Sequence, residues 1–400
     1  LMSIENRITD LLELKDVEVT HFESLPHENL IFVELPRIKH PCPVCGSESN
    51  SIHDYRIQKI LDVPLYDKKT YLMYRKRRYR CNQCGKRFFE TNHFVPRYAH
   101  SSNRLYLSLY ERLHSISSQS EIASHFHISP MRIRRLLDSL HPALPALPEV
   151  LGIDEFKGNT NKTKYHCILT DLKSGRPIDI LSNRTEATLT LHFRKYQNTT
   201  QLDNVKIIVI DMWRSYYTVL RRVFPNAMII IDRFHMVRQV MWSLENVRKR
   251  VQKEMPKSLR IYFKHSRTVL LKRSDRLIIN DHINEEQIRD RLLRYIPDLK
   301  KAYELKEELL AIVSEIHDST LARQWLNDWM SKARDSNIPE FYSCIRAYQN
   351  WKEPILNSFS SPYSNGFTEG CNNKIKVIKR NAFGLRNFDR FRTRILLCFA

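Results

Sequence analysis

The sequence predicts a multidomain chain that mixes the α+β and α/β classes. It has a small β-rich N-terminal domain, a helical segment, and a mixed-sheet core interrupted by an all-α insertion. Three observations predict this. Two CxxC pairs stand 35 residues apart, Cys42 and Cys45 in "CPVCG" and Cys81 and Cys84 in "CNQCG". Residues 150–240 read in the order βββαβαβα. From about 240 to 355 the chain is helical in pattern, highly charged and poor in β-signals.

Composition narrows the class. The chain has 400 residues, with 65 Lys and Arg against 44 Asp and Glu, a formal charge of +21 and a pI near 9.6. Basic runs such as "YRKRRYRC" (74–81) and "RNFDRFRTR" (386–394) recur along it. A ribosomal or membrane-surface protein shares this balance, but a large basic chain most often binds nucleic acid. No apolar run reaches the roughly 18–20 residues that span a bilayer, and no signal pattern opens the sequence. Cys167, Cys344, Cys371 and Cys398 are scattered, which suits buried thiols in a reducing cytosol better than a disulfide framework. A cytoplasmic location is expected.

The elements follow in order. Residues 3–15 read as a short helix and 29–37 ("NLIFVELPR") as a strand. In each CxxC-Gly a tight turn holds two thiolates and the glycine relieves the backbone just after it. Together the pairs make a tetrahedral site for one structural Zn²⁺ with ligands Cys42, Cys45, Cys81 and Cys84. Four protein ligands close the site, so this zinc is not catalytic. A redox CxxC would need a thioredoxin-like context, which neither pair has. The alternating strand "TYLMYRKRRYRC" runs into the second pair as the hairpin of a zinc ribbon should, giving a ribbon domain over 1–98.

Residues 99–141 read as a helical domain. Leu105, Leu109 and Leu113 share one face. Ile122 and Ala123 lie in the next helix, "HIS" makes a turn, Ser129 suits an N-cap and Pro130 the first helical position. The following helix sets Arg132, Arg134 and Arg135 outward and Ile133, Leu136 and Leu137 inward. This is the pattern of a helix-turn-helix whose basic second helix enters a major groove. An ordinary helical hairpin with a solvated basic face reads the same way. The proline-rich stretch 142–149 is a linker.

The core begins with three β-type segments, "VLGIDEF", "KYHCILTDL" and "PIDILSN". The helix-like "EATLTLHFRKYQ", the strand "VKIIVI" ending at Asp211, a helix over 212–223 and the strand "AMIII" ending at Asp232 follow. That order is RNase-H-like, an antiparallel meander followed by parallel strands. Its first part spans 150–240, the helical insertion 241–357 and its last part 358–400. Trp325 and Trp329, four apart in the insertion, suit packing better than base stacking.

Strand-end acids emerge at one sheet edge, where metals are well held. Asp154, Asp211 and Asp232 qualify. Asp211 and Asp232 precede helices and could merely cap them, whereas Asp154 has no helix to cap. Its neighbour Glu155 points to the opposite strand face, and periodicity does not say which of the two faces a shared site. The segment "NGFTEGCNNKIKVIKRNAFG" (365–384) adds a fourth acid. On a helix, Glu369, Asn373, Lys376 and Arg380 share one stripe, and Cys371, Ile375, Ile378 and Ala382 the other. An acid ahead of an amide and cations suits a metal site beside nucleic-acid phosphates. Glu369 alone could also be explained by the helix dipole.

The stretches "CPVCG…CNQCGKRF", "GIDEF", "VIDMWRSYY", "DRFHMVRQV" and "SNGFTEGCNNKIKVIKRNAFGLRNFDRFRTRI", with the helix-turn-helix, resemble in order a DDE-class transposase of bacterial insertion sequences, of the ISL3 family. The resemblance covers nearly the whole chain. It implies a catalytic triad of Asp154, Asp211 and Glu369, deciding for Asp154 over Glu155 and for Asp211 over Asp232. Asp232 and His235 become an accessory pair. The chain stops soon after Arg394, where the family pattern suggests a short further tail.

The resemblance also implies a chemistry. Two Mg²⁺ (or Mn²⁺) held by the triad would cleave transposon ends and join the freed 3′-hydroxyls to target DNA. The ribbon and Arg132, Arg134 and Arg135 would read the terminal inverted repeats. Asn373, Lys376, Lys379 and Arg380 would hold backbone phosphates. A homodimer on double-stranded DNA and association with the bacterial nucleoid are expected, with no membrane partner. Two rival readings are a non-catalytic DNA-binding regulator derived from a transposase, and an RNase-H-type nuclease without strand transfer.

Overall fold

The structure, a computed structural model, describes residues 16–400 except positions 281 and 295. The helix expected over 3–15 lies outside the described residues. The chain forms two compact units, Leu1–Pro142 with Lys376–Ala400, and Ala143–Ile375.

In the first unit, β1 (Glu18–Ser24), β2 (Glu28–Glu34), β5 (Ile52–Leu65) and β6 (Lys68–Arg80) form a sheet in the order β1-β2-β6-β5, with β7 (Arg87–Phe89) also on β6. The two short strands β3 (His40–Pro41) and β4 (Glu48–Ser49) pair separately. The β5–β6 hairpin turns at Tyr66 and Asp67, both left-handed (φ 51 and 57). Two such residues give the turn whose twist matches the flanking strands. The expected hairpin is therefore present, and it is joined by the β1–β2 pair, with β2 parallel to β6. Ile31, Val33, Ile60, Leu72, Tyr74 and Phe94 make this sheet's core.

The helices Asn103–Arg112, Gln119–His125 and Pro130–Ser139 follow. Ser118 and Glu121 form a reciprocal capping box at the second. Ser129 has the extended backbone of an N-cap, but its side chain makes no capping bond, and Pro130 occupies the first turn. Leu105, Leu109, Leu113, Ile122, Ala123, Ile133 and Leu137 are buried together, with Leu397 of the helix Phe388–Phe399 among them. Arg390 pairs with Asp138 at 2.6 Å, and Arg394 donates to the Ser115 and Ser117 carbonyls at 2.7 Å. Residues 376–400 therefore pack with the N-terminal unit. The expected domain boundary had kept the whole of 358–400 with the core.

In the second unit, β8 (Val150–Lys157), β9 (Tyr165–Asp171), β10 (Arg176–Leu181), β11 (Ile207–Ile210) and β12 (Met228–Ile231) lie in the order β10-β9-β8-β11-β12. β8, β9 and β10 are an antiparallel meander, and β11 runs parallel to both β8 and β12. This is the mixed α/β topology anticipated above. Between β12 and the helix Gly366–Asn381 the described elements are helices joined by short connections, with an isolated bridge between Ile279 and Asn284. Trp329 is buried there and its Nε1 donates to the Leu305 carbonyl at 2.8 Å, while Trp325 stays 44% exposed. Only Trp329 packs as expected.

Gly152 sets how closely this sheet accepts the helix Gly366–Asn381. A Cβ there would lie 2.4 Å from Thr170 Oγ1 and 2.9 Å from Thr368 Oγ1. Those hydroxyls are themselves hydrogen-bonded at 2.8 Å. Gly152→Ala must therefore part Thr368 from Thr170. It is expected to cost about 1–3 kcal/mol, the usual range for overpacking, read as a lower midpoint in denaturant unfolding. A midpoint equal to that of the original chain would show that the contact yields freely.

Candidate functional site

Two clusters of possible metal ligands stand out among the described residues. In the first, Cys42 Sγ lies 3.6 Å from Cys84 Sγ and Cys45 Sγ 3.5 Å from Cys81 Sγ, and all four sulfurs fall within 4.8 Å of one another. The two turns are alike. Gly46 N–H donates to the Cys42 carbonyl and Gly85 N–H to that of Cys81, at 2.9 and 3.0 Å. Both glycines sit at φ 72, the left-handed conformation that favours glycine. The N–H groups of Cys84 and Gln83 draw the Cys81 thiol down to about 6, while burial and the neighbouring thiols push Cys45 and Cys84 up, since four close sulfurs cannot all ionise without a cation among them.

The second cluster is built at the C-terminal edge of the parallel strands. β11 and β12 pair Ile210 with Ile231, so Asp211 and Asp232 leave the sheet side by side. Asp211, Asp232 and His235 offer ligand atoms within 4.8 Å of one another, with His235 Nε2 3.0 Å from Asp211 Oδ2. Asp211 caps no helix, because the next one begins at Arg214 behind Trp213. Asp232 holds the N-cap position of Arg233–Glu254, yet its side chain makes no capping hydrogen bond. Its Oδ1 instead receives the Asn365 N–H at 3.4 Å.

Asp154 comes from the middle strand, β8. Its Oδ2 accepts a 2.7 Å hydrogen bond from Asn372 Nδ2, one turn along the helix from Glu369. Asn365, just before that helix, donates its amide to the Ile153 carbonyl at 3.2 Å. Glu155 turns to an ion pair with Arg184. The helix divides largely as its pattern predicted: Glu369, Asn373, Lys376 and Arg380 are exposed and Cys371, Ile375 and Ile378 are buried, but Ala382 lies past the helix end at Asn381 and is only half-buried.

The electrostatics follow from this crowding. Burial pushes Asp154 up to about 6, and repulsion from Glu155, Asp232 and Glu369 adds to it. Burial also pushes Asp211 up to about 8, helped by Asp154 and Asp232. Asp232 is raised by burial against the pull of the Asn365 N–H, and His235 is lowered by burial and by Arg238. Asp211 Oδ1 and Asn372 Oδ1 are buried with no hydrogen-bond partner among the described residues. Acids held this close oppose one another's ionisation, and a bound cation would relieve that.

Sequence reasoning found the acids but missed Asn365, Thr368 and Asn372. Thr368 and Asn372 flank Glu369 on the helix and Asn365 lies just ahead of it, positions that no apolar period marks. On the second basic helix, Arg134 and Arg135 are exposed as expected, but Arg132 is only half-exposed and donates to Ser101 Oγ. Its outward placement is corrected: the helix packs close enough to Ser101 for the guanidinium to fold back. No described helix is long and apolar enough to cross a membrane.

Comparison with known proteins matches both the region of the mixed sheet and that of the four cysteines. A family model described as "Transposase" matches residues 151–395. A second, for the zinc finger of transposases of IS204, IS1001, IS1096 and IS1165, matches residues 38–84. The chain belongs to the ISL3 family of DDE transposases. It is 27% identical over 371 residues to the transposase for insertion sequence element IS1001 of Bordetella parapertussis, covering 90% of this chain and 88% of that one. It is 26% identical over 258 residues to the transposase for IS1557 of Mycobacterium tuberculosis, covering 59% of this chain and 57% of that one. A Lactococcus lactis protein named an ATP-dependent protease is 38% identical over 117 residues, 29% of this chain and 36% of that one. The present sequence has no GxxxxGK[ST] phosphate loop.

Proposed function

We propose that this transposase binds the terminal inverted repeats of an insertion sequence, cleaves the DNA at its ends and joins the freed 3′-hydroxyls to target DNA. The observation that supports the reading is the acid cluster at the sheet edge: Asp211, Asp232 and His235 offer ligand atoms within 4.8 Å of one another, Asp154 acts electrostatically on Asp211, and Glu369 on Asp154 and Asp232. Asp232 and His235 adjoin Asp211.

The residues fit a hard divalent cation. Their donors are oxygens apart from His235, several carboxylates oppose one another's charge, and Asp211 Oδ1 is buried with no hydrogen-bond partner among the described residues. Asp154, Asp211 and Glu369 would hold Mg²⁺ or Mn²⁺, with Asp232 and His235 beside them. Bound divalent ions supply Lewis acidity to the attacking water or 3′-hydroxyl and to the leaving oxygen. The chain's own residues do the positioning. Asn372 Nδ2 and the Glu155 N–H each hold one oxygen of Asp154 and fix the carboxylate's orientation. Asn365 ties the start of the Glu369 helix to β8 and to Asp232. His235 holds Asp211 Oδ2.

The same reading assigns one structural Zn²⁺ to the four cysteines. The ribbon and the helices 119–139 would bind the inverted repeats, through Arg134 and Arg135. Asn373, Lys376, Lys379 and Arg380 would hold backbone phosphates, and two copies would act on paired ends. The net charge of +21 supplies salt-sensitive affinity for DNA of any sequence.

The test uses labelled transposon-end DNA with Mg²⁺ or Mn²⁺. End cleavage followed by joined products is expected. Binding without cleavage would replace this reading with the regulator, and cleavage without joining with the nuclease.

A further inference from the structure

Both parallel strand ends carry an aromatic residue two positions past the acid: Trp213 after Asp211, and Phe234 after Asp232. Because β11 and β12 pair in register at Ile210 and Ile231, both aromatics follow from the same sheet edge as the acids. Both are exposed, Trp213 by 41% and Phe234 by 57%. Phe234 stands edge-on to His235, ring centroids 5.6 Å apart.

Trp213 has a different setting. The Arg184 guanidinium lies over its ring, 4.7 Å from the centroid, and over the Tyr165 ring at 4.6 Å. Tyr165, Arg184 and Trp213 thus form a stack with a cation at its centre. The cation is pinned by Glu155, the immediate neighbour of Asp154. Holding an exposed indole against a fixed guanidinium costs side-chain freedom and leaves the indole partly open to solvent. A flat, cation-backed aromatic surface next to acids that suit a phosphodiester offers one thing that the acids do not, a face for a base. A base inside a duplex is already stacked on its neighbours, so an unpaired one is needed to use that face.

We infer that Trp213, backed by Arg184 and Tyr165, is a stacking platform for an unpaired nucleobase next to the phosphodiester on which Asp154, Asp211 and Glu369 act. The inference rests on the phosphodiester reading given above. It also gives Glu155 a task distinct from that of Asp154: it fixes the stack. Stacking on a π-face tolerates any base, so the platform holds the strand without reading its sequence.

The test uses the full-length chain and a short thymidine oligonucleotide carrying one 5-iodouracil, in Ca²⁺. Ultraviolet crosslinking is expected to label the tryptic peptide 207–214, which contains Trp213. Trp213→Ala should remove that label and Trp213→Phe should keep it, with thermal melting confirming that both variants fold. Replacing the iodinated nucleotide by an abasic one should weaken binding to the original chain about tenfold, the scale of one base stacked on an aromatic ring. The same replacement should leave binding to Trp213→Ala unchanged. Crosslinks confined to other peptides, or an equal abasic penalty in Trp213→Ala, would overturn the platform. Cleavage of end DNA without the Trp213 crosslink also overturns it and leaves the phosphodiester reading standing. The crosslink without cleavage overturns that reading and leaves the base platform standing.

Discussion

Asp154→Asn, Asp211→Asn and Glu369→Gln are each expected to slow DNA-end cleavage by about 10³-fold or more, the scale of several kcal/mol of lost transition-state charge stabilisation. End binding, measured by electrophoretic shift, should stay close to that of the original chain. Each substitution keeps the shape of the side chain and removes its charge. For Asp211 the stability effect has a definite sign. Its carboxyl titrates near 8 in the folded protein, against 3.8 in an ordinary setting. An acid raised by folding destabilises the folded state as it ionises, so the cost is absent below the unfolded value, grows as pH rises from there to about 8, and is complete above. Metal-free Asp211→Asn should therefore melt at the same temperature as the original chain in acid and higher at pH above about 8. Slower cleavage with unchanged or increased stability marks a residue kept for chemistry. A variant that cleaves normally leaves the triad, and one that melts lower at every pH was structural.

Removing the zinc is expected to have the second large effect, but a local one. Freshly purified protein should contain one zinc per chain, and Cys42→Ser or Cys81→Ser should lose it. Structural zinc is worth roughly 10–16 kcal/mol in small zinc-binding peptides. The turns at Cys42–Gly46 and Cys81–Gly85 have little apolar core of their own to take its place. The sheet beside them does: Ile31, Val33, Ile60, Leu72, Tyr74 and Phe94 are buried together. Tyr74 also hydrogen-bonds Glu90 at 2.7 Å, next to the buried Arg77. Chelation should therefore erase hydrogen-exchange protection around 40–50 and 81–89 and leave it in 28–34 and 70–76. Loss of protection throughout the sheet would show that the metal, and not this core, holds the domain. Retained protection around the cysteines would show that no metal was needed.

The legible features were those that local chemistry forces. Two CxxC-Gly motifs can do little else at their spacing, and the structure brings the four sulfurs together. An apolar run ending in an acid, twice over, gave β11 with Asp211 and β12 with Asp232. The 3.6-residue period divided the Glu369 helix into the faces observed. The illegible features depend on which distant surfaces meet. Asn372 looked like one more polar residue until β8 placed Asp154 against it, across 218 positions of sequence. Arg132 shared its pattern with Arg134 and Arg135, and only the nearness of Ser101 set it apart.

By itself the sequence determined the local alphabet of this transposase: its paired cysteine turns, its strand and helix order, its excess of basic charge and its strand-end acids. These follow from residue type and spacing, which act over a few bonds or a few turns. Tertiary structure alone decided that Glu155 turns to Arg184 while Asp154 meets Asn372, and that Trp213 lies on a guanidinium. It alone also decided that residues 376–400 pack with the N-terminal unit. The physical reason is the same in each case. A side chain's partner is set by the packing of whole elements, and no local period encodes which elements will meet.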